Sequence, residues 1–440
     1  MRASPRTRAR SPEKKVRQVG SLRILFVSHF FHPEPGAIRG LPLARRLMEA
    51  GDEVEVLTGF PNYPGGKIYP GYRQRPWFRE TMEGVPVLRV PLYPSHDSSA
   101  LHRALNYGSF AISATMLGLP RVGKADVGYV YHPPPTVGLP ALLLQTLRGI
   151  PFVYHVSDMW PESVVESGMV RARKLVGSLI STWCNWVYAR ASVITVLSPG
   201  FKRLLIERGV PESKIQVIFN WTEEEVFKPV SRNQELAEAL GLSRSFNVMY
   251  AGNIGSFQDV EVIVRAAVLV KRFPSIKIVI VGTGQKEQEV KAVAADVGAD
   301  NVVFLGRRQY WEMPQMYALA DVLVVHLKDC PFFSTTIPSK TQVSLACARP
   351  ILMAVRGDAA DLVERAGAGI MCPPEDPTRM AEAIIRFFEM PKDKREQMGE
   401  CGRQYYWREM SLDHGARQMR AVFEQVAAAR VAGRQAHVTE

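Results

Sequence analysis

The chain has 440 residues, 46% of them hydrophobic, a formal net charge of +12 and a pI near 9.5. That length supplies two or more domains of about 100–200 residues each. The five cysteines are scattered and form no Cys-x-x-Cys pair, and no run of 18 or more apolar residues is free of charge. Structural zinc, a disulfide framework and a single-pass membrane helix are therefore disfavoured, and a reducing, cytoplasmic compartment is expected.

In chain order, residues 1–20 carry seven basic side chains against the single acid Glu13 and have little to bury, so a disordered basic tail is expected. No apolar stretch with a small-residue cleavage site follows the charges, unlike a signal peptide. Such a tail suits an anionic membrane surface. Nucleic acid is the competing partner, and no RNA- or DNA-binding motif supports it. The run LRILFVS (22–28) reads as a buried parallel strand. A His-Pro-Glu-Pro-Gly loop follows, then a helix from about Arg39 to Ala50 and a strand EVEVLT (53–58). Residues 59–84 read as one long loop whose aromatic content marks it as more than a linker. Ala104–Pro120 suits a buried core helix or an amphipathic helix lying in a membrane interface. VPVLRV, VGYVY, PFVYHV and SVITVL are further strands, and IQVIFNW (215–221) closes the first half.

A polar stretch at 222–245 marks a boundary, after which strand and helix alternate again: FNVMYA, IKIVIV, VVFL, VLVVH and PILMAV. Apolar residues at 260, 263, 264, 267 and 270, and at 290, 293, 294 and 297, form helical stripes between these strands. Repeated strand–helix units predict an α/β chain of two Rossmann-like parallel-sheet domains facing a central cleft. Ligands bind such sheets outside the carboxyl ends of the strands. That rule selects Ser28, His29, Pro33–Gly36, His155, Ser157, Asp158 and Trp160 in the first half. In the second it selects Gly252, Asn253, Gly255, Gly282, Gly284, Gly306–Tyr310 and the segment from His326 to Lys340.

The chain is organised around Pro331–Leu352. Its hydroxyls Ser334, Thr335 and Thr336 precede Pro338, where a helix should start, and Ser339 and Lys340 then fall in the first turn. Unpaired amides, the positive end of the helix dipole and a lysine make a phosphate site; an ordinary capped helix with a solvated lysine is the alternative. The absence of G-x-x-x-x-G-K-[ST] excludes a P-loop nucleotidase. No G-x-G-x-x-G follows the first strand, which disfavours a nicotinamide site.

In order, VLSPGFKRLLIERGVPESKIQVIFNW, YAGNIGSFQDVEVIVRAA, IVIVGTGQKEQEV, NVVFLGRRQYWEMPQMYALADVLVV and PSKTQVSLACARPIL resemble the GT-B fold glycosyltransferases of family 4. LTGFPNYPGGKIYPGYR, GVPVLRV and SDMWPES resemble a bacterial subgroup similar to L-fucosaminyltransferases, whose members build lipid-linked polysaccharide repeats such as O-antigen or capsule. The resemblance implies an acceptor-side domain at 21–225, a nucleotide-sugar domain at 226–402, and a helix within 403–440 that crosses back to the first domain. It also implies a nucleotide-sugar substrate, most often UDP-linked, a polyprenyl-diphosphate-linked glycan acceptor, retention of configuration, and a place on the inner face of the cell membrane.

Donor-binding candidates are then Gly252, Asn253, Gly255, Gly282, Gly284, Arg307, Arg308, Tyr310, Thr335, Thr336, Ser339 and Lys340. Gly36, Trp160 and Glu162 are candidates on the acceptor side. Asp158 is the candidate for the acceptor's proton or for capping the next helix, and His155 for a donor contact or a core position. Glu162 equally suits a first-turn helix charge. The family's usual glutamate pair is replaced by Thr335 and Val343, and the loop GNIGSFQD lacks the usual basic pair, which leaves Lys340 as the foremost cation for the diphosphate. No Asp-x-Asp lies beside a strand end, so neither metal nor cofactor is expected. A nucleotide-sugar 2-epimerase and a non-catalytic assembly subunit with the same fold are the competing readings.

Overall fold

The computed structural model describes residues 20–35, 39–97, 99–162 and 174–439. The basic tail before Gly20, and Gly36, lie outside the described residues. The first sheet has eight strands: β1 (Arg23–Ser28), β2 (Glu53–Gly59), β3 (Phe78–Met82), β4 (Val85–Val90), β5 (Val127–His132), β6 (Phe152–Val156), β7 (Val193–Val196) and β8 (Ile215–Val217). Their order is β3-β4-β2-β1-β5-β6-β7-β8, and only the β3–β4 pair is antiparallel. The second sheet has six strands: β9 (Phe246–Ala251), β10 (Ile276–Val281), β11 (Val302–Gly306), β12 (Val322–His326), β13 (Ile351–Ala354) and β14 (Gly369–Met371). All of its pairs are parallel, in the order β11-β10-β9-β12-β13-β14.

The central strands bury nearly every side chain, which is why they read as unbroken apolar runs. The supposed loop 59–84 ends differently from the expectation. Phe78–Met82 forms an edge strand joined to β4 by the two-residue turn Glu83-Gly84, with φ of 47° and 87°. Both residues are left-handed, as a tight hairpin of this kind demands. Ala104–Gly118 falls within a helix, Ala100–Ser113, and its π-helical continuation, Ala114–Gly118, while Leu119 and Pro120 form the turn that follows.

The chain crosses between the two sheets twice. The first crossing leaves β8, and the second is the break between the helices Lys392–Glu409 and Leu412–Thr439. Residues 403–409 therefore end a helix that packs on the second sheet through Tyr405 and Tyr406, and the helix that crosses back starts at Leu412. Its Met419, Val422 and Phe423 enter the core under β1 and β5.

The two crossings clasp each other. Arg39 is buried; its Nε donates to Asn220 Oδ1 at 2.7 Å and its Nη2 to the carbonyls of Ile218 at 2.6 Å and Phe219 at 2.7 Å. Its guanidinium lies 4.5 Å from the centre of the Trp221 ring. Glu224 Oε1 accepts from the Tyr406 hydroxyl at 2.9 Å and from Leu412 N at 2.7 Å. Gly415 abuts Trp221 so closely that a Cβ there would come within 2.4 Å of the ring. Gly415→Val should therefore overpack the clasp at about 1–3 kcal/mol. Scanning calorimetry should show a melting temperature lower by roughly 3–8 °C, and an unchanged value would mean that Trp221 yields without strain.

Candidate active site

Both sheets turn the carboxyl ends of their strands to the cleft. In the second domain, β9 runs into Gly252 and β10 into Gly282, with φ of 150° and 133°. A Cβ on Gly282 would sit 1.9 Å from the Gly252 carbonyl oxygen, and one on Gly284 would sit 2.3 Å from that of Ile254. The two loops touch backbone to backbone, which only glycine allows.

Lys340 reaches over this platform from the first turn of the helix Ser339–Ala346. Its Nζ donates to the Tyr250 hydroxyl at 3.1 Å and lies 4.7 Å from that ring's centre. A Cβ on Gly252 would meet Lys340 Cε at 2.3 Å, so the glycine makes room for the ammonium. Burial alone pulls its pKa down to about 8, with no carboxylate contributing. Pro338 takes the N-cap position, one residue earlier than expected, and no side chain caps the helix. The amides of the first turn therefore remain without side-chain acceptors.

The other donor-side candidates divide. Asn253 and Gly255 share the β9 loop, where Asn253 Nδ2 donates to Gln258 at 3.1 Å. Ser339 is exposed beside Lys340. The stretch before Pro338 is not a simple loop, because Pro331–Ser334 is a short helix. Thr335 and Thr336 turn their hydroxyls back onto the carbonyls of Phe332 at 2.7 Å and Phe333 at 2.9 Å. Arg307, Arg308 and Tyr310 follow the edge strand β11, two strands and about 10 Å from β9. Tyr310 packs on Phe227, just past the first crossing, with ring centres 5.2 Å apart.

On the facing edge, Asp158 is half-buried near Tyr107 and Tyr131. Trp160 stands 6.2 Å from Tyr107 and 6.3 Å from His132, ring to ring. His132 ends β5 and was not selected from the sequence, although it stands at a strand end in YHPPP as His155 does in YHVSD. Burial holds His132 and His29 neutral, with pKa values of about 3. Both His132 nitrogens and Trp160 Nε1 are buried without a hydrogen-bond partner.

His155 occupies the core position. It is fully buried, its Nδ1 is 2.8 Å from Thr195 Oγ1, and its ring stacks on Tyr131. Glu162 is committed to Arg208, whose Nη1 also donates to the Trp160 carbonyl at 2.9 Å. It thus braces the Trp160 turn. Among the described residues, no group of three or more His, Cys, Asp or Glu side chains could hold a metal ion.

The domains meet beside the Lys340 segment. Ser198 Oγ donates to the Thr335 carbonyl at 2.5 Å, and buried Asp358 accepts from Gly200 N and from Arg203 Nη2, the latter at 2.7 Å. Phe201 stacks on Phe332 with ring centres 6.3 Å apart. Nothing in the local sequence around Asp358 marks this partnership, because its partners lie over 150 residues away.

Residues 38–221 match a glycosyl transferase 4-like domain, and residues 245–390 match the glycosyl transferases group 1. The chain is 30% identical over 264 residues to a probable glycosyltransferase, WbjE, of Pseudomonas aeruginosa, covering 57% of this chain and 64% of that protein. It is 29% identical over 311 residues to a putative colanic acid biosynthesis glycosyl transferase, WcaI, of Escherichia coli K12, covering 68% and 74% respectively. Among solved structures, sucrose-phosphate synthase from Thermosynechococcus elongatus aligns with a TM-score of 0.67 at 18% identity, over 93% of this chain and 100% of that one. Anabaena HepE in complex with UDP aligns at 0.68 and 17% identity, over 92% and 100%. The two sheets therefore define a GT-B glycosyltransferase fold. With a glycosyltransferase domain matched on each sheet, the chain belongs to family 4, as its sequence motifs led us to expect. It spans just under two thirds of the length of the Pseudomonas relative.

The depressed lysine pKa has a measurable consequence. Lys340 is charged below about pH 8 and loses its proton above it. A diphosphate that binds only the charged form should bind on the order of tenfold more weakly at pH 9 than at pH 7. Calorimetric titration with UDP should show this decline, and Lys340→Arg should abolish it. A flat profile in the wild type would place the phosphates away from Lys340.

Proposed function

We propose that this chain transfers a sugar from a UDP-linked donor to a polyprenyl-diphosphate-linked glycan during surface polysaccharide synthesis, with retention of configuration and without a metal ion. The observation that carries this reading is the buried Lys340 ammonium, which lies over touching glycine loops with a phenol hydroxyl as its partner. An ammonium so placed is incomplete until an anion arrives. The diphosphate would rest on the Gly252, Gly282 and Gly284 backbone, at the open start of the Ser339–Ala346 helix. Charge grows on the leaving diphosphate as the glycosidic bond breaks, so Lys340 binds the transition state more tightly than the ground state.

The acceptor hydroxyl would enter from the opposite edge. Asp158 is the group that would accept its proton or orient the hydroxyl, and His132 and the Trp160 indole, unpartnered within the protein, stand near by. The subgroup resemblance points to an N-acetylated aminosugar. The names of the WbjE and WcaI relatives support polysaccharide synthesis as the setting, and the UDP and UDP-glucose complexes of HepE support the nucleotide. A lipid-borne acceptor places the enzyme at the cytoplasmic face of a membrane.

The test pairs UDP-sugars with a polyprenyl-diphosphate-linked acceptor and follows products by mass spectrometry. Lys340→Ala should lower kcat and kcat/KM by about 100-fold, with a smaller change in donor KM and an unchanged circular dichroism spectrum. Near wild-type turnover in a folded variant would move the phosphates towards Arg307 and Arg308.

A further inference from the structure

The outer face of the first domain is built from three helices packed side by side: Ala100–Ser113 with its continuation to Gly118, Gly138–Arg148 and Lys174–Arg190. Their inner sides fill one core against the sheet. Their outer sides are unusually apolar. Leu101, Leu105, Ile112 and Met116 stand exposed at spacings of four, seven and four residues, which is one helical stripe. Leu147, Leu179 and Trp186 continue the exposed surface on the other two helices. Among the described residues, these are seven of the fifteen large hydrophobic side chains that stand most exposed, and Met116 and Leu147 are 69% and 75% exposed.

The charges on this face are predominantly positive. From Ser99 to Ser157 the only carboxylate is Asp126, which pairs with Arg23 at the far end of the sheet. No acid occurs between Lys174 and Arg190. Arg103, Arg148 and Arg190 lie on these helices, and Arg121 and Lys124 follow the first of them directly. Arg121 lies 3.7 Å over the ring of Trp77, itself exposed. Asp97, held by His102, and Glu55, held by Arg79 and Gly123 N, are acids at the margin of this face, and each is already paired. An apolar surface bordered mainly by cations is the pattern of an element that lies in the headgroup region of an anionic bilayer. A protein partner of ordinary composition would leave these cations without matching acids.

We infer that this three-helix face docks the enzyme on an anionic lipid bilayer. Tyr107, on the inner side of the first of these helices, contacts His29 and Trp160 at the acceptor edge of the cleft. The docked face thus brings the mouth of the cleft to the lipid surface, where a polyprenyl-linked glycan would enter it. This extends the reading of a lipid-borne acceptor and rests on it, but the docking itself is tested without turnover.

The full-length protein is titrated with phosphatidylcholine vesicles with and without phosphatidylglycerol. Binding should require the anionic lipid and weaken with salt. The double variant Ile112→Glu/Met116→Glu should bind about tenfold more weakly or worse, while UDP binding by calorimetry stays unchanged and shows an intact fold. Replacing Arg6, Arg8 and Arg10 by Gln should leave at least half of the vesicle affinity.

Equal binding by the double variant and the wild type would overturn the inference. So would loss confined to the Arg6/Arg8/Arg10 variant, or a wild-type dimer by light scattering that Ile112→Glu/Met116→Glu breaks, since a second copy would then be the occupant. A wild type that transfers sugar to a soluble acceptor but binds no anionic vesicle would refute the docking face and leave sugar transfer standing.

Discussion

A largely buried lysine ammonium, with no carboxylate partner among the described residues, is the constraint around which the second domain's loops are arranged. Removing a charge from water is expensive unless a partner repays it. Among the described residues, its partner is the Tyr250 hydroxyl, 3.1 Å away, with the ring beneath it. The surroundings are arranged for that charge. Gly252 leaves the space that Lys340 occupies, and Gly282 lets the next loop close against Gly252. The parallel sheet brings these loops to one edge, and the helix that carries Lys340 adds its open amides there.

The two domains are joined unequally. At the crossings, Arg39 and Trp221 hold the linker to the first domain, and Glu224 ties it to Tyr406 and to the start of the last helix. Across the cleft, the contact is a small set of polar bonds from Ser198, Gly200 and Arg203 to Thr335 and Asp358, with one aromatic stack. A firm clasp and a small polar contact are what a hinge and a closing edge require. That contact includes Thr335, three residues before Pro338 and the helix that holds Lys340.

Much of this was legible in the sequence because buried parallel strands announce themselves. Runs such as LRILFVS and IKIVIV could be placed, and the strand-end rule then selected Gly252, Gly282 and Lys340 without any long-range information. What failed to show had physical causes. Phe78–Met82 is a polar edge strand whose pairing depends on the Glu83-Gly84 turn, and it carries no apolar run. His155 and His132 look alike in sequence, each beside a strand end. Only the register and the surrounding helices separate a core histidine bonded to Thr195 from one that lies against Trp160. Glu162 was attractive as a carboxylate near the acceptor edge, but its partner Arg208 is 46 residues away. Arg39 and Asp358 could not be read at all, because their meaning lies in the other crossing and the other domain.

The central claim is that the donor diphosphate completes the coordination of Lys340. A crystal structure with UDP bound tests it most directly. The β-phosphate should lie within hydrogen-bond distance of Lys340 Nζ, against the Gly252 and Gly282 backbone, with a first-turn amide of the Ser339–Ala346 helix donating to it. A structure in which Nζ remains bonded only to Tyr250 while the phosphates sit against Arg307 or Arg308 would contradict it.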